Sequence, residues 1–488
     1  MVLEYLWSFG QMDILMSKPI VTVSKVDECF LKVECPDDGL AKDLHEFFSY
    51  KVPNAKFMPS YRNKWWDGKV YLFSIKTRKI YIGLLPYIDE FCRERGYEFE
   101  GVQEVLGHKH KKDITKNGEL KSWGLPFEPR DYQLEAFNSA IQYGRQLLLS
   151  PTASGKSLII YMLARYYDTK TVIIVPTTSL VEQMTKDFQD YGYTEPICKI
   201  YHGQEVFDAP ITITTWQSFA KAPKEVLESF DMVVGDEAHL FKANVLKGIL
   251  EKMKKTALRF GCTGTLDGTE VHRLQLEGLF GPVKKVITTA QLMEEGTIAN
   301  LSIDILVLKH QKRKFENYQE EMDYIVGNDS RNEFICNLVY SLKGNTLVLF
   351  QYVEKHGVIL HTKMRERLKD KLHYVYGGTD VTDREEVRTL VEKASDNVIL
   401  ASYGTFSTGV NIKKIDNIVF ASPSKSRIRN LQSIGRGLRK GEGKDSMRLF
   451  DIADSIGGNN YTLNHLKERI NIYNEEGFVY EIKEFNLK

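Results

Sequence analysis

The sequence contains few cysteines for its length, and they are scattered. Only six cysteines occur in 488 residues, with no C-x-x-C pair and no spacing to histidine typical of metal ligands. This distribution argues against a zinc site and against a disulfide framework, and it is typical of a protein from a reducing cytosol. A chain of this length can bury several hydrophobic cores, so it needs no such cross-links.

The sequence also lacks a long apolar run and an excess of either charge. No stretch approaches the roughly 18–20 apolar residues that span a bilayer, so we expect no membrane association. The 66 Lys and Arg residues balance 65 Asp and Glu residues, which excludes a uniformly basic histone-like protein and an acidic disordered tail. Residues 1–11 carry Glu4 and no basic n-region, so they do not match a signal peptide, and we expect a disordered leader there.

Three domains and one linker are expected to follow the leader, since domains contain roughly 150 residues each. Residues 12–105 mix short strand patterns with two helical patterns, which predicts a small α+β domain. Residues 106–124 are polar and lack apolar periodicity, as a linker does. In residues 125–297, and again in 298–488, apolar strands alternate with amphipathic helices, which predicts two parallel sheets built from βαβ units. We expect a hinge helix at Thr288–Gly296 and a helical extension at the C-terminus.

A loop with the residues of a phosphate site follows the apolar strand Gln146–Leu149. A strand, a tight loop and a helix N-terminus would present several backbone N–H groups to one anion. The predicted nucleotide contacts are Thr152, Ala153, Ser154, Gly155, Lys156 and Ser157. Lys156 would hold the β- and γ-phosphates, and Ser157 would ligate Mg²⁺. The strict phosphate-loop pattern fails because Ser150 stands at its first glycine, so a chance G-K-S at a helix start is the alternative.

A pair of carboxylates ends a second apolar strand, Met232–Val234. A phosphate-loop enzyme needs its metal partner and its water-activating base at such a position. Asp236 would hold Mg²⁺ through its water shell, and Glu237 would position and deprotonate the attacking water. A solvated strand end is the alternative. His239 completes the sequence D-E-A-H without a second residue at metal-ligand spacing, so we predict a role in coupling.

Residues 127–445 resemble superfamily 2 helicases and translocases, because seven motifs stand in the expected order. Arg130 and Gln133 lie in a segment similar to the adenine-reading Q motif, where a glutamine amide can bind the adenine edge in a bidentate manner. Thr263 and Thr265 belong to a segment similar to the motif that couples the ATP state to the grip on nucleic acid. The resemblance assigns contacts with the nucleic-acid strand in the first lobe to Thr177, Thr178, Thr215 and Trp216.

Two further segments resemble motifs V and VI of the second lobe. Within residues 402–413, the resemblance assigns Gly409 to the nucleotide and Thr408 to nucleic acid, although many relatives carry Asp where Asn411 stands. Within residues 432–439, it assigns catalytic roles to Gln432, Arg436 and Arg439. The two arginines are three residues apart on a helix and share a face. They could neutralise transition-state charge on an ATP held by the other lobe.

The resemblance implies an α/β fold with two tandem RecA-like parallel-sheet domains behind a small N-terminal α+β domain. It also implies an ATP-dependent DNA helicase that uses ATP and Mg²⁺. The layout is similar to the UvsW family of phage recombination helicases, through Phe47–Tyr50, Trp66–Gly68, P-T-T after a first-lobe strand and S-T-G in motif V. That family regresses forks, migrates Holliday junctions and unwinds R-loops and D-loops. We therefore expect a monomer in the host cytoplasm that acts on single-stranded and branched DNA and on RNA within RNA–DNA hybrids. A small accessory protein is a further expected partner.

Residues 51–79 break the neutral average of the chain, with eight Lys and Arg residues against one acid, Asp67. Aromatic residues interleave with these cations, which is typical of a nucleic-acid surface. The predicted contacts are Lys64, Trp65, Trp66 and Lys69. The alternative is that the aromatic rings form the core of the small domain and that the lysines only solvate it. A second basic segment, residues 425–444, leaves Arg427 and Arg429 as either DNA contacts or plain surface charge.

Three other functions are compatible with parts of this pattern. A non-translocating nucleotide switch needs only one α/β lobe, so the second-lobe motifs argue against it. A restriction-type translocase would need a nuclease carboxylate cluster, and neither flank contains a convincing one. An ATP-dependent RNA helicase is the nearest alternative, because lobes of this type hold mainly the nucleic-acid backbone.

Overall fold

The computed structural model describes residues 19–53, 55–102, 123–201, 209–240, 243–266, 269–405, 412, 414–424, 426–440, 444–457 and 460–487. By internal contacts the chain divides into two units, residues 1–109 and 110–488. Residues 1–11 and most of the predicted linker lie outside the described ranges. Within those ranges, no helix combines the length and the apolar character needed to cross a membrane.

The N-terminal unit has a mixed sheet. Its strands are β1 (Ile20–Lys25), β2 (Phe30–Glu34), β5 (Lys79–Tyr81) and β6 (Glu98–Glu100). A separate two-stranded antiparallel sheet pairs β3 (Ser49–Lys51) with β4 (Lys69–Tyr71). The sheet order is β5-β2-β1-β6, with β1 antiparallel to β2 and parallel to β6. Its helices are α1 (Asp38–Phe47), α2 (Pro59–Arg62) and α3 (Leu85–Arg95). Helices on a mixed sheet confirm the predicted α+β class.

The first lobe is built on seven strands, which are β7 (Arg145–Leu149), β8 (Thr171–Val175), β9 (Ile197–Ile200), β10 (Ile211–Thr215), β11 (Met232–Asp236), β12 (Leu258–Thr263) and β13 (Val283–Lys285). All pairs are parallel, in the order β13-β7-β12-β11-β8-β10-β9. Its helices are α4 (Asp131–Tyr143), α5 (Lys156–Tyr167), α6 (Thr178–Asp190), α7 (Trp216–Phe219), α8 (Lys224–Leu227), α9 (Ala243–Lys252), α10 (Glu270–Phe280) and α11 (Thr289–Glu294). Every residue of β8 is buried, as expected for a parallel sheet covered on both faces.

The second lobe repeats this architecture with β14 (Asn300–Lys309), β15 (Thr346–Phe350), β16 (Leu372–Val375), β17 (Val398–Ser402), β18 (Asn417–Phe420), β19 (Ser446–Ser455) and β20 (Tyr480–Asn486). The strands are parallel, in the order β16-β17-β15-β18-β19-β14-β20. Its helices are α12 (Tyr318–Gly327), α13 (Asp329–Ser341), α14 (Val358–Leu368), α15 (Val381–Lys393), α16 (Arg427–Gly437) and α17 (Tyr461–Glu476). Two parallel α/β lobes behind a small α+β unit confirm the predicted fold class.

Three short strands at sheet edges are absent from the sequence-based pattern. β9 and β13 flank the first sheet, and β20 adds an edge strand to the second sheet after α17. Six of the seven residues of β20 are exposed, so an alternation of apolar and polar residues does not mark it. The predicted helical extension at the C-terminus therefore contains α17 and, in addition, a strand.

Strand register places the predicted motifs of the first lobe at one edge of the sheet. β12 lies between β7 and β11, with Thr263 opposite Leu149 and Cys262 opposite Asp236. Because parallel strands end at the same edge, the phosphate loop after β7, the carboxylates at the end of β11 and the end of β12 are neighbours. Ligands in open α/β sheets bind at this carboxyl edge.

Candidate active site

The loop between β7 and α5 has the backbone conformation of an anion site. Ala153 and Gly155 both have positive φ, of 68° and 78°, immediately before α5 begins. A Cβ atom on Gly155 would lie 2.4 Å from Gln133 Nε2, so the close contact requires glycine. Ser154 Oγ donates to Pro151 O at 2.7 Å, so Ser150 Oγ is the donor towards Ser154 Oγ at 2.6 Å. Ser150, which departs from the usual glycine, thus stabilises the loop.

Residues of the Q-motif segment contact this loop. The amide of Gln133 accepts from Arg130 N and donates to Ser154 O, both at 2.9 Å. The hydroxyl of Tyr132 also donates to Ser154 O, at 3.0 Å, and accepts from Arg130 Nη1 at 2.9 Å. The amide expected to bind adenine is therefore engaged by protein groups at both ends. In this structure the Q-motif segment stabilises the phosphate loop through these hydrogen bonds.

Two carboxylates and a lysine meet at the end of β11. Lys156 Nζ lies 3.4 Å from Glu237 Oε1, and it also donates to Ser150 O at 3.3 Å. Burial is the largest single effect and would raise the pKa of Glu237, but Lys156, His239 and the Gly264 N–H together outweigh it and hold that pKa below its ordinary value. Glu237 has a φ of 50°, a left-handed conformation that costs a non-glycine residue about 1–2 kcal/mol and turns its side chain towards Lys156.

Asp236 has the environment of a cation ligand. Burial, and secondly the charge of Glu237, raise the pKa of Asp236 to about 7. Its Oδ1 is buried without a hydrogen-bond partner among the described residues. A buried carboxylate oxygen that lacks a partner fits a divalent cation, since Mg²⁺ prefers oxygen ligands. Ser157 lines the same cavity and offers a second oxygen.

Sequence reasoning missed two residues beside Ser157. Tyr191 directly follows α6, and its hydroxyl lies 2.8 Å from Ser157 Oγ. Asp187, one helical turn earlier, lines the same cavity, and burial raises the pKa of its carboxyl. Asp187 lies in the last turn of the amphipathic helix α6 and Tyr191 is its C-cap, and their i, i+4 spacing was the available signal. Neither residue belongs to a motif, so the pattern did not single them out.

The second lobe contributes two arginines to this site. Arg436 and Arg439 line one interlobe cavity of about 250 Å³ together with Lys156, Ser157, Asp236 and Glu237. Burial, with the neighbouring charge of Arg439, lowers the pKa of Arg436 to about 10, so the guanidinium remains protonated at neutral pH. A Cβ atom on Gly435 would lie 2.8 Å from Thr152 Cβ, so glycine permits this close approach of α16 to the phosphate loop.

A chain of hydrogen bonds joins the lobes beside the cavity. Gln432 Nε2 lies 3.0 Å from His239 Nε2, and His239 Nδ1 is within hydrogen-bond distance of Thr263 Oγ1. An amide nitrogen can only donate, so His239 accepts at Nε2 and donates from Nδ1. Thr263 Oγ1 then donates to Thr265 O at 2.8 Å. This chain links motif VI to the predicted coupling residues.

The first-lobe residues that are predicted to contact the nucleic-acid strand serve mainly as helix caps. Thr177 accepts from Leu180 N at the start of α6, and Thr178 is the first residue of that helix. Thr215 is buried and caps α7 by accepting from Ser218 N, so its side chain makes no surface for a direct contact. Trp216, the first residue of α7, is partly exposed. Gly409, Thr408 and Asn411, with the side chain of Arg429, lie outside the described residues.

Arg427 is a salt-bridge partner within the second lobe. Its guanidinium pairs with Glu475 and with Glu476, the latter at 3.1 Å. This arginine, at the start of α16, is thus neutralised by the C-terminal turn of α17. The pairing favours a structural role over a DNA contact.

The four contacts predicted in the N-terminal unit have different environments. Trp65 is 82% exposed, and Lys64 is exposed beside it. Trp66 is only partly exposed, and its Nε1 donates to Lys69 O at 2.6 Å. Lys69 Nζ pairs with Glu46 at 2.9 Å. The alternative that both tryptophans are core residues is therefore wrong for Trp65.

Two parallel α/β lobes, with a phosphate loop and a D-E-A-H sequence facing two arginines of the other lobe, define a two-lobed nucleotide-driven motor of helicase superfamily 2. Family profiles agree with this class. They match residues 126–268 as "Type III restriction enzyme, res subunit", residues 330–441 as "Helicase conserved C-terminal domain" and residues 21–100 as "DNA helicase UvsW, N-terminal".

Full-length relatives narrow the assignment. The chain is 33% identical to the ATP-dependent DNA helicase uvsW of Enterobacteria phage T4, over 94% of this chain and 98% of the relative. The crystal structure of T4 UvsW covers 96% of this chain, with 30% identity and a TM-score of 0.51. A type I restriction enzyme fragment from Vibrio vulnificus, 16% identical with a TM-score of 0.58 over 82% of this chain, shares the fold alone. The chain belongs to the UvsW family of ATP-dependent DNA helicases.

Proposed function

We propose that the chain hydrolyses ATP between its two lobes and uses the resulting lobe movements to remodel branched DNA. One observation carries the proposal: Lys156 and Glu237 of one lobe and Arg436 and Arg439 of the other line a single cavity. Hydrolysis at such a site requires both lobes to be in contact. Lobe closure and chemistry are therefore linked, as a motor requires.

The residues of the interlobe cavity have separate roles in the proposed reaction. Lys156 binds the phosphates, and in doing so exchanges its ion pair with Glu237 for a pair with the substrate. Glu237 is then left to orient a water and to accept its proton. Arg436 and Arg439 neutralise the charge that develops on the transferred phosphoryl group.

Asp236 and Ser157 are the residues that would hold Mg²⁺. The ion, when bound, would supply positive charge to the phosphates of ATP. The partnerless Oδ1 of Asp236 supports this assignment, and the hydroxyl of Tyr191 would orient Ser157 from outside the metal site.

The hydrogen-bond chain from Gln432 to Thr265 would transmit lobe closure to the grip on DNA. Gln432 moves with the second lobe, while His239, Thr263 and Thr265 belong to the first lobe. Opening the cavity would break the contact between Gln432 and His239 and release the end of β12. Coupling of this kind needs two alternative arrangements of one element, which a hydrogen bond across the cleft can provide.

Forks, Holliday junctions, R-loops and D-loops are the proposed substrates, in recombination, repair and replication of a phage in the host cytoplasm. Relatedness to T4 UvsW over nearly the whole chain, including the N-terminal unit, supports a DNA motor with a substrate-selecting accessory unit. The enzyme would bind RNA as one strand of an RNA–DNA hybrid. We also propose that the enzyme acts as a monomer and has a small accessory protein as a partner.

ATPase assays with single-stranded DNA, forked DNA and single-stranded RNA test the proposal, together with unwinding of a fork and a Holliday junction. We expect both DNAs to stimulate hydrolysis and ATP to drive remodelling of both branched substrates. Stimulation by RNA alone would favour the RNA helicase alternative. ATP hydrolysis without unwinding of any substrate would favour a nucleotide switch.

A further inference from the structure

Two adjacent tryptophans in the N-terminal unit lie in opposite environments. The indole of Trp66 is anchored through its Nε1, which donates to Lys69 O at 2.6 Å. The indole of Trp65 is 82% exposed and makes no aromatic contact with the described part of the chain. A tryptophan so exposed loses the free energy of burying its large apolar surface, so its exposure calls for a functional reason.

The backbone that presents Trp65 is held in place. Trp65 N donates to Ser60 O at 2.9 Å, at the end of α2. Lys64 has a φ of 57°, a left-handed conformation that directs the chain out of that helix. Gly68 has a φ of 82° and packs against Tyr61, where a Cβ atom would lie 3.0 Å from the ring. The exposed indole therefore stands on a fixed turn, which reduces the entropy lost when it binds a ligand.

Three cations that have no ion-pair partner among the described residues lie beside this indole. A cavity of about 580 Å³ is lined by Lys56, Tyr61, Arg62, Lys64, Trp65, Trp66 and Asp67, which together form the Trp65 surface. None of its three cations makes an ion pair with a described residue. The single acid, Asp67, accepts hydrogen bonds from Lys69 N and Tyr71 OH, and the latter lowers its pKa most. An anionic ligand is the missing counter-charge.

We propose that the Trp65 surface binds an unpaired nucleotide at the branch point of the DNA, with the base stacked on the indole of Trp65. The inference rests on the proposed function, because it takes branched DNA as the substrate. Stacking requires an open base face, and in a duplex each base face is covered by the next pair. An exposed indole is thus selective for unstacked bases, while Lys56, Arg62 and Lys64 bind the flanking phosphates.

Binding of the full-length protein to fluorescent DNA, measured in the absence of ATP, tests this proposal. The probe is a fork with two unpaired bases at the branch point, one of them 2-aminopurine, and the reference is a blunt duplex of equal length. Trp65→Ala should weaken binding to the fork by about 10-fold, since base stacking on an aromatic residue contributes that order of affinity. Duplex binding should change less than about 2-fold. Trp65→Phe should retain most of the affinity for the fork and the quenching of 2-aminopurine.

Two controls separate stacking from other effects. Tyr143→Ala removes an aromatic residue that is 46% exposed on α4 of the motor unit, and it should leave fork binding unchanged. Thermal unfolding of Trp65→Ala should match the wild type, because the side chain packs against little. Equal affinity of Trp65→Ala and wild type for the fork, or equal losses on fork and duplex, would overturn the proposal. Failure of the motor itself would instead appear as absent DNA-stimulated ATPase in the wild type.

Discussion

The interlobe cavity and the Trp65 surface both contain several positive side chains, but they differ in the number of acidic partners near those charges. In the cavity Lys156 lies 3.4 Å from Glu237, and Asp187 lines the same space as Arg439. On the Trp65 surface, Lys56, Arg62 and Lys64 have no ion-pair partner among the described residues. Buried charges need partners within the protein because desolvation costs several kcal/mol per ion, whereas exposed charges are solvated.

This difference predicts two modes of ligand binding. A ligand of the interlobe cavity must exchange partners with existing ion pairs, so its affinity depends on geometry within the protein. A ligand of the Trp65 surface adds a partner and displaces counterions, so its affinity depends on salt. Substitutions in the cavity should therefore change chemistry, and substitutions on the surface should change salt-dependent binding.

The largest effect is expected from Lys156→Ala and Glu237→Gln. Lys156→Ala should abolish hydrolysis by removing the phosphate ligand, whereas Glu237→Gln should bind ATP and slow its hydrolysis by roughly 10²–10⁴-fold. Nucleotide binding and single-turnover hydrolysis, measured separately, distinguish the two variants. Turnover by Glu237→Gln within a few-fold of the wild type would mean that another group activates the water.

Arg436→Ala and Arg439→Ala test the contribution of the second lobe. Each should retain nucleotide binding to the first lobe, while hydrolysis stimulated by DNA falls by roughly 10³-fold if that residue acts as an arginine finger. Arg427→Ala is the matched control on the same helix, because Arg427 pairs with Glu475 and Glu476 away from the cavity. Normal ATPase activity in both test variants would show that motif VI is misassigned.

Much of the fold and most of the interlobe cavity could be predicted from the sequence. The strands that carry motifs are mostly buried, and their ends hold the residues that chemistry requires, as at Met232–Asp236, where every residue is buried. Edge strands such as β20 could not be predicted, because their residues are exposed on both faces. The helix predicted at Thr288–Gly296 is observed as α11, which begins at Thr289, and the capping box between Thr288 and Gln291 is a local signal for that start.

Contacts between segments that are distant in sequence account for what could not be predicted. The amide of Gln133 is bound at both ends because the phosphate loop folds back against α4, and Ser157 meets Tyr191 only once α5 and α6 pack. Trp65 and Trp66 differ in exposure although they are neighbours, because the orientation of each ring depends on a turn with an unusual φ at Lys64. Composition alone could not separate them.

A smaller effect is expected at the contact between Gln432 and His239. Gln432→Ala and His239→Ala should each reduce the amount of DNA unwound per ATP hydrolysed by about 2- to 10-fold, the range expected for one hydrogen bond. The double variant should lose no more than either single variant, since both remove the same interaction. Additive losses in this double-mutant cycle would show that the two residues act independently of each other.

The smallest effect is expected for two lysines in the N-terminal unit that have different partners. Lys64 is exposed and has no ion-pair partner in the described part of the chain, whereas Lys69 pairs with Glu46 at 2.9 Å. Each lost phosphate contact flattens the plot of log affinity against log salt by about 0.9 units on duplex DNA. Lys64→Gln should flatten the slope for fork binding by about that amount. Lys69→Gln should flatten it less, because the Glu46 carboxylate already compensates the charge of Lys69.

The pairing state of each lysine, and not its position in a basic segment, determines this ranking. Fork binding should be measured between about 50 and 200 mM salt. Over this range the affinity of a protein with several phosphate contacts changes on the order of a thousandfold, so a difference of one contact can be resolved. Glu46→Gln provides the sharper test. It should release Lys69 and steepen the slope, because the lysine then becomes available to a phosphate. If Lys64→Gln and Lys69→Gln flatten the slope equally, ion pairing on the protein does not govern which cations meet DNA, and the contrast with the interlobe cavity fails.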